Sequence, residues 1–275
     1  MVQSALFGQV LPAASRSIYL WRTLVAQELS SRYRGTFLGA VWQFLAPLFL
    51  LGIYGFVFGI VFRARWPGLE EGGGLLFALN LFLGLLVHGV LAETLGQAPT
   101  VMQRNSNFVR KVVFPLPVLV AVPMGVALVN AATGLFLVAL ISTFGASPSP
   151  GTVLALWHLV PVLAVFAPMV LGLALFLAAL GVYVRDLSQM IGMLVMAVLF
   201  TSPVFYPLEM APESIRGVIM INPLTIPVEH LRQALLLGQS PDWSALGVYG
   251  LVACAVLAAG AATFNTLRRG FADML

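Results

Sequence analysis

Charge is what this chain has least of. Of its 275 residues only 9% are charged, while 60% are hydrophobic. A soluble domain carries about 25% charged and 45–50% apolar residues. Too few charges remain to wet a globule of this size, so a soluble enzyme and a disordered protein are both excluded. The single cysteine, Cys254, lies in an apolar run and rules out an internal disulfide or a cysteine-ligated zinc site. The only lysine is Lys111, so no Gly-x-x-x-x-Gly-Lys-[Ser/Thr] phosphate loop is present. His88, His158 and His230 are scattered, without a His-Glu-x-x-His pair, and no Gly-x-Ser-x-Gly elbow occurs. Nothing points to catalysis, to a bound metal or to nucleic acid. Met1 to Ala14 carries no charge, which is unlike the basic start of a cleavable signal peptide. The first span is therefore expected to insert uncleaved.

What is present is a set of long charge-free runs. They lie between Arg34 and Arg63, Glu71 and Glu93, Asp186 and Glu209, and Asp242 and Arg268, each 21 to 28 residues long. About 20 residues cross a hydrocarbon core roughly 30 Å thick as a helix. A fifth run, from Lys111 to Arg185, is 73 residues long and is broken by Gly145-Ala-Ser-Pro-Ser-Pro-Gly151, which reads as a turn between two helices. Six spans follow, near 37–62, 75–95, 116–144, 153–181, 188–207 and 244–267. The fold class is an all-α integral membrane protein, one domain over 1–275. Glu93 sits near the end of the second span, where capping or pairing is the expected role rather than proton relay.

The basic residues give an orientation. With the N-terminus inside, Arg16, Arg22, Arg32, Arg34, Arg104, Arg110, Lys111, Arg185, Arg268 and Arg269 are cytoplasmic, against Arg63, Arg65, Arg216 and Arg232 outside. The bias follows the positive-inside rule and predicts both termini in the cytoplasm. Two segments do not span. Ile18, Trp21, Val25 and Leu29 recur at helical spacing within 17–34, the pattern of an amphipathic helix at a membrane surface or of a packing helix. The stretch 206–243 holds Glu209, Glu213 and Glu229 among apolar residues and reads as short re-entrant helices or an external cap.

The sequence resembles the ABC-2-type permeases that export polysaccharides. The stretch Leu29-Ser-Ser-Arg-Tyr-Arg-Gly-Thr-Phe-Leu-Gly-Ala-Val-Trp-Gln-Phe-Leu-Ala-Pro47 carries the likeness first. Asn107-Phe-Val-Arg-Lys-Val-Val-Phe-Pro115, Gly181-Val-Tyr-Val-Arg-Asp-Leu187, Ser202-Pro-Val-Phe-Tyr-Pro207 and Asn222-Pro-Leu-Thr-Ile-Pro-Val-Glu-His-Leu-Arg232 follow in the family's order. Gly84 to Glu93, followed by Arg-Lys-Val-Val-Phe-Pro, is closer to the Gram-negative O-polysaccharide branch than to the capsule or teichoic-acid branches. Pro117 departs from that branch, which has an acidic residue there. ABC-2 exporters of lipids or drugs share the span pattern and remain the alternative.

The resemblance implies a homodimer in the inner membrane of a Gram-negative bacterium, with two copies of a separate ATPase subunit that holds ATP and Mg. This chain would bind no cofactor of its own. The cargo would be a polysaccharide on an undecaprenyl-type lipid, moved through a channel at the dimer interface. Trp42, Phe49 and Tyr54 of the first span and Phe200, Phe205 and Tyr206 of the fifth are the expected aromatic lining. Arg104, Asn105, Asn107 and Phe108 fall in the expected ATPase-coupling segment, with Trp21, Arg22, Arg32 and Arg34 on the interface helix beside the membrane lipids. Arg185 and Asp186 read as a local charge pair. The 206–243 segment would be an outer gate.

Overall fold

The computed structural model describes residues 13–63, 66, 73–111, 114–144 and 156–275. The turn expected at 145–151, the first residues of the expected fourth span and Arg65 lie outside them. Among the described residues the chain is helical. Helix α1 (Ala13–Tyr33) is followed by a 3-10 turn (Gly39–Val41), α2 (Trp42–Tyr54) and a π-helical stretch (Gly55–Val61), which together make the first apolar segment. Next come α3 (Gly73–Arg104), α4 (Ser106–Lys111), α5 (Pro117–Phe144), α6 (Leu159–Tyr183) and α7 (Leu187–Phe200). The chain ends with α8 (Glu213–Ile221), α9 (Thr225–Leu237), α10 (Trp243–Leu267) and the short α11 (Phe271–Met274).

Five of these segments are long and apolar enough to cross a membrane: Gly39–Val61, Gly74–Arg104, Leu116–Phe144, Leu159–Tyr183 and Trp243–Met274. The sixth apolar helix, α7, has 14 residues and reaches about 21 Å at 1.5 Å per residue. It stops where the sequence reading continues a span to 207. The chain turns instead through 201–206, whose Ser202, Pro203 and Val204 are buried. The second span differs the other way. It runs unbroken to Arg104, with Pro99 inside it; Thr94 and Thr100 donate back to the Val90 and Gln97 carbonyls of the same helix.

Helix α3 is the hub, packing against α5, α6, α7, α9 and the first segment. Val90, Leu91, Phe166, Val170, Ala174, Ala178 and Phe264 lie in one continuous buried cluster. Lipid is as apolar as these side chains, so close backbone approach, not burial from water, holds the helices together. The approach is tightest where α6 meets α10. A Cβ on Gly260 would collide with the carbonyl oxygen of Gly172, and one on Gly172 would lie 2.6 Å from the amide nitrogen of Leu257. Asp242 caps α10, accepting from the Ser244 amide (2.9 Å), the Ser244 hydroxyl (2.7 Å) and the Ala245 amide (3.2 Å). Those donors, the hydroxyl foremost, hold its carboxyl below the usual range. Gly238, at φ 63°, ends α9 in the left-handed conformation that glycine adopts without strain.

The contacts sort residues to two ends. At one, α1, residues 97–108, the Gly181–Tyr183 turn and the C-terminal 267–275 meet. Gln103 donates to the Gly181 carbonyl (3.0 Å), and Tyr183 to that of Leu267 (2.9 Å). Arg22, Arg32, Arg34, Arg104, Arg185, Arg268 and Arg269 belong to this arginine-rich end. At the opposite end are the π stretch, Trp66, the 201–206 turn, α8 and α9.

Gly260→Val should separate α6 from α10 and destabilise the detergent-solubilised protein by about 1–3 kcal/mol, the usual penalty for overpacking, read as a lower thermal midpoint. Gly247→Ala, which meets no atom within 4 Å, should leave the midpoint unchanged.

Candidate functional site

The first apolar segment is the least covered in the molecule. Phe49 is 72% exposed, Trp42 43% and Phe56 58%. Tyr54 turns inward against both buried clusters. Trp42 and Tyr54 share the wall of a cavity of about 290 Å³ that also meets Gln43, Pro47, Glu93 and Asn130. On the other flank of α3, Phe200 is 61% exposed and stacks on half-buried Phe205 with centroids 5.4 Å apart, and Tyr206 follows, half-buried. Helix α3 packs against both the first segment and α7, so the two aromatic sets flank the same helix.

At the arginine-rich end, α1 is docked on α5. Trp21 donates its indole N–H to the Ala121 carbonyl at 2.8 Å, and Val25 is buried. A Cβ on Gly125 would lie 2.5 Å from Val25 and 2.7 Å from Trp21, so the glycine is what admits the helix. Ile18 and Tyr19 stay exposed, as do Arg22 and Arg34. Arg32 turns to α3 and pairs with Glu93, whose second oxygen accepts from the Asn130 amide at 3.3 Å. A cleft of about 430 Å³ lies between α1 and the end of α3, bordered by Gln27, Glu28, Arg104, Asn105 and Phe108. Of the expected coupling residues, Arg104 and Asn107 are exposed. Asn105 donates back to the Val101 carbonyl (2.9 Å) and Phe108 packs on Phe114, so these two shape the turn. Arg185 and Asp186 stand exposed at the run-in to α7. The ion pairs seen among the described residues are elsewhere, at Arg32–Glu93 and Glu229–Arg232.

The opposite end holds the residue the sequence reading missed. Arg232, counted there with the external arginines, is only 4% exposed. Its guanidinium donates to the carbonyls of Pro203 (2.5 Å), Val204 (2.8 Å) and Asn80 (3.3 Å) and to the Glu229 carboxylate (3.2 Å). It also lies 4.6 Å from the centre of the Trp66 ring, a cation–π contact. Burial pulls its pKa down to about 10, against the favourable charge of Glu229, so it stays charged at neutral pH. Burial pushes Glu229 up, with Arg232 opposing. Asn222 completes the joint, donating to the Val198 carbonyl (2.8 Å) and accepting from the Leu224 amide (2.9 Å). The sequence signal was Glu229-x-x-Arg232, an ion pair at helical spacing followed by Ala234, Leu235 and Leu236. Three apolar residues following one arginine mark a buried face.

Residues 19–236 match the ABC-2 type transporter family. The chain belongs to that family. Among its relatives is the O-antigen export system permease protein RfbA of Myxococcus xanthus, 28% identical over 94% of this chain and 98% of its own length. Two proteins of the same name from Klebsiella pneumoniae are 25% and 24% identical, each over 94% of this chain and 96% of theirs. With its membrane-crossing helices, this ABC-2 chain is a multi-pass membrane protein and a transport component. Its two aromatic sets, its exposed arginine-rich end and its Arg232 joint are the features on which a transport path can be built.

Arg232→Met, close in volume but without donors, should leave buried carbonyls bare at about 1–3 kcal/mol each. The expected result is a strongly lowered thermal midpoint and new protease cleavage between 206 and 221. Glu229→Gln should lower the midpoint far less, because Glu229 remains 22% exposed. An unchanged cleavage pattern for Arg232→Met would contradict the joint.

Proposed function

We propose that this ABC-2 chain is the membrane subunit of an ATP-driven exporter of lipid-linked O-polysaccharide. It acts as a homodimer with two copies of a separate ATPase subunit, which supply ATP and Mg. The observation that carries this reading is the end-to-end similarity to permeases named for O-antigen export. The motifs from Leu29 to Arg232 agree with it. In this reading the membrane is the inner membrane of a Gram-negative bacterium. The arginine-rich end is cytoplasmic, as the positive-inside rule favours, and six crossings are completed by α7 with the 201–206 turn. Backbone outside a helix is tolerated at membrane depth only where protein or a wet cavity covers it, and the Arg232 joint gives that cover.

The channel follows from the exposed aromatics. The first segment and α7 flank α3 within one chain, and a second copy brings Trp42 and Phe49 opposite Phe200, Phe205 and Tyr206. Sugar rings present apolar C–H faces that lie on aromatic rings, with few fixed hydrogen bonds to hinder sliding. Helices α8 and α9 stand at the exit in this reading. Helix α9 is anchored by Arg232 and α8 is mostly exposed, so α8 is the part free to swing as polymer leaves. On the cytoplasmic side, Arg104 and Asn107 present the ATPase contact, and Arg22 and Arg34 face the ATPase or lipid phosphates.

The test is reconstitution of this chain with its ATPase in vesicles carrying lipid-linked O-polysaccharide on the outer face. ATP should move glycan into the lumen, protecting it from added glycosidase. Trp42→Ala should reduce that transport while the ATPase still co-purifies. Glycan that stays fully accessible with ATP present would overturn the function. Normal transport by Trp42→Ala and Phe200→Ala would overturn the channel.

A further inference from the structure

Glu93 is an acid on an otherwise apolar stretch of α3, and its surroundings are more specific than a cap. Arg32 of α1 and Asn130 of α5 take one carboxylate oxygen each. One carboxylate thus ties three helices together. A turn further along α5, Thr133 accepts from the Gln43 amide of the first segment at 3.1 Å. The polar seam therefore continues to the segment that is least held by the rest of the molecule. Glu93 and Asn130 line the same cavity as Gln43 and Trp42, so the joint forms part of the wall against which the first segment rests.

Stability does not account for this arrangement. The side chains of Arg32 and Glu93 are 32% and 21% exposed, and a pair so placed contributes about 0–1 kcal/mol. The pair adds little to stability; its use is the linkage of three helices.

Geometry supplies that use. Helix α3 is continuous, and Glu93 lies 11 residues, about 16 Å, from Arg104 on the same rod. Helix α1 is fixed to α5 by Trp21 and Val25 and to α3 by Arg32. Two physical connections therefore join the arginine-rich end to Glu93, one along α3 and one through α1. We propose that Arg32, Glu93 and Asn130 are positioning residues that transmit motion of this end to the first segment, so that breaking the joint uncouples ATP hydrolysis from transport. The inference rests on the reading that this end faces the ATPase.

The experiment uses the full chain with its ATPase in vesicles, comparing the parent with Glu93→Gln, Asn130→Leu, Glu93→Arg and the exchange Arg32→Glu with Glu93→Arg. Three quantities are read: ATPase retained on purification, ATP hydrolysed, and lipid-linked glycan transported. For Glu93→Gln and Asn130→Leu, retention and hydrolysis should stay within about two-fold, while glycan moved per ATP falls by roughly five-fold, as for residues that carry coupling between sites. Glu93→Arg alone should be the worst, and the exchange should recover at least half of the parent ratio. An unchanged ratio in Glu93→Gln would overturn the proposal. So would ATPase loss in step with transport, which marks a merely structural role, or an exchange no better than Glu93→Arg. If the parent pair itself hydrolyses ATP without moving glycan, the transport reading fails and the joint's role fails with it.

Discussion

A helix that ends beneath a protein's surface leaves carbonyls that water cannot reach, and each must find a donor within the protein. Helix α7 ends at Phe200, and the chain beyond it runs through buried Ser202, Pro203 and Val204. Arg232 answers the carbonyls of Pro203 and Val204 and, with Asn80, fastens the same spot to α3. Asn222 does the same for Val198. A guanidinium suits this task because its planar donors diverge to several acceptors at once. The Trp66 ring and the Glu229 carboxylate then balance its charge. The short α7, the irregular turn and the fixed α9 all depend on that one side chain.

Both ends of the molecule are tied by side chains that donate to backbone carbonyls. At the opposite end these are Arg232 and Asn222, and α8 there is mostly exposed. At the arginine-rich end they are Trp21, Gln103 and Tyr183, with an ion pair shared by three helices beside them. The first segment, with Pro47 inside its helix and a π stretch after it, lies between the two ends with most of its surface uncovered.

Most of the fold was legible in the sequence because bilayers penalise charge. The charge-free runs fell on each of the five helical segments long and apolar enough to cross a membrane, and Asp242 marked the boundary before α10. What was not legible was where helices end beneath an unbroken apolar pattern. The run from 187 to 208 contains a helix of 14 residues and a turn, since the stop is enforced by Arg232 from 29 and 28 residues away. Helix α3 hid the opposite surprise, as Thr94, Gln97 and Thr100 look like the start of a loop. The aromatic candidates of the first segment, α7 and the turn after it came from the family resemblance; how they sit about α3 depends on tertiary packing and was not legible. The pairing of Arg32 with Glu93 links residues 61 apart, beyond any local pattern.

Outward transport of lipid-linked glycan, as proposed, is tested by depleting the chain in its native host and measuring surface glycan and the lipid-linked pool inside. Surface polymer should be lost while lipid-linked polymer accumulates in the cell. Unchanged surface and internal pools would contradict it, and loss of both pools would place the chain in polymer synthesis instead.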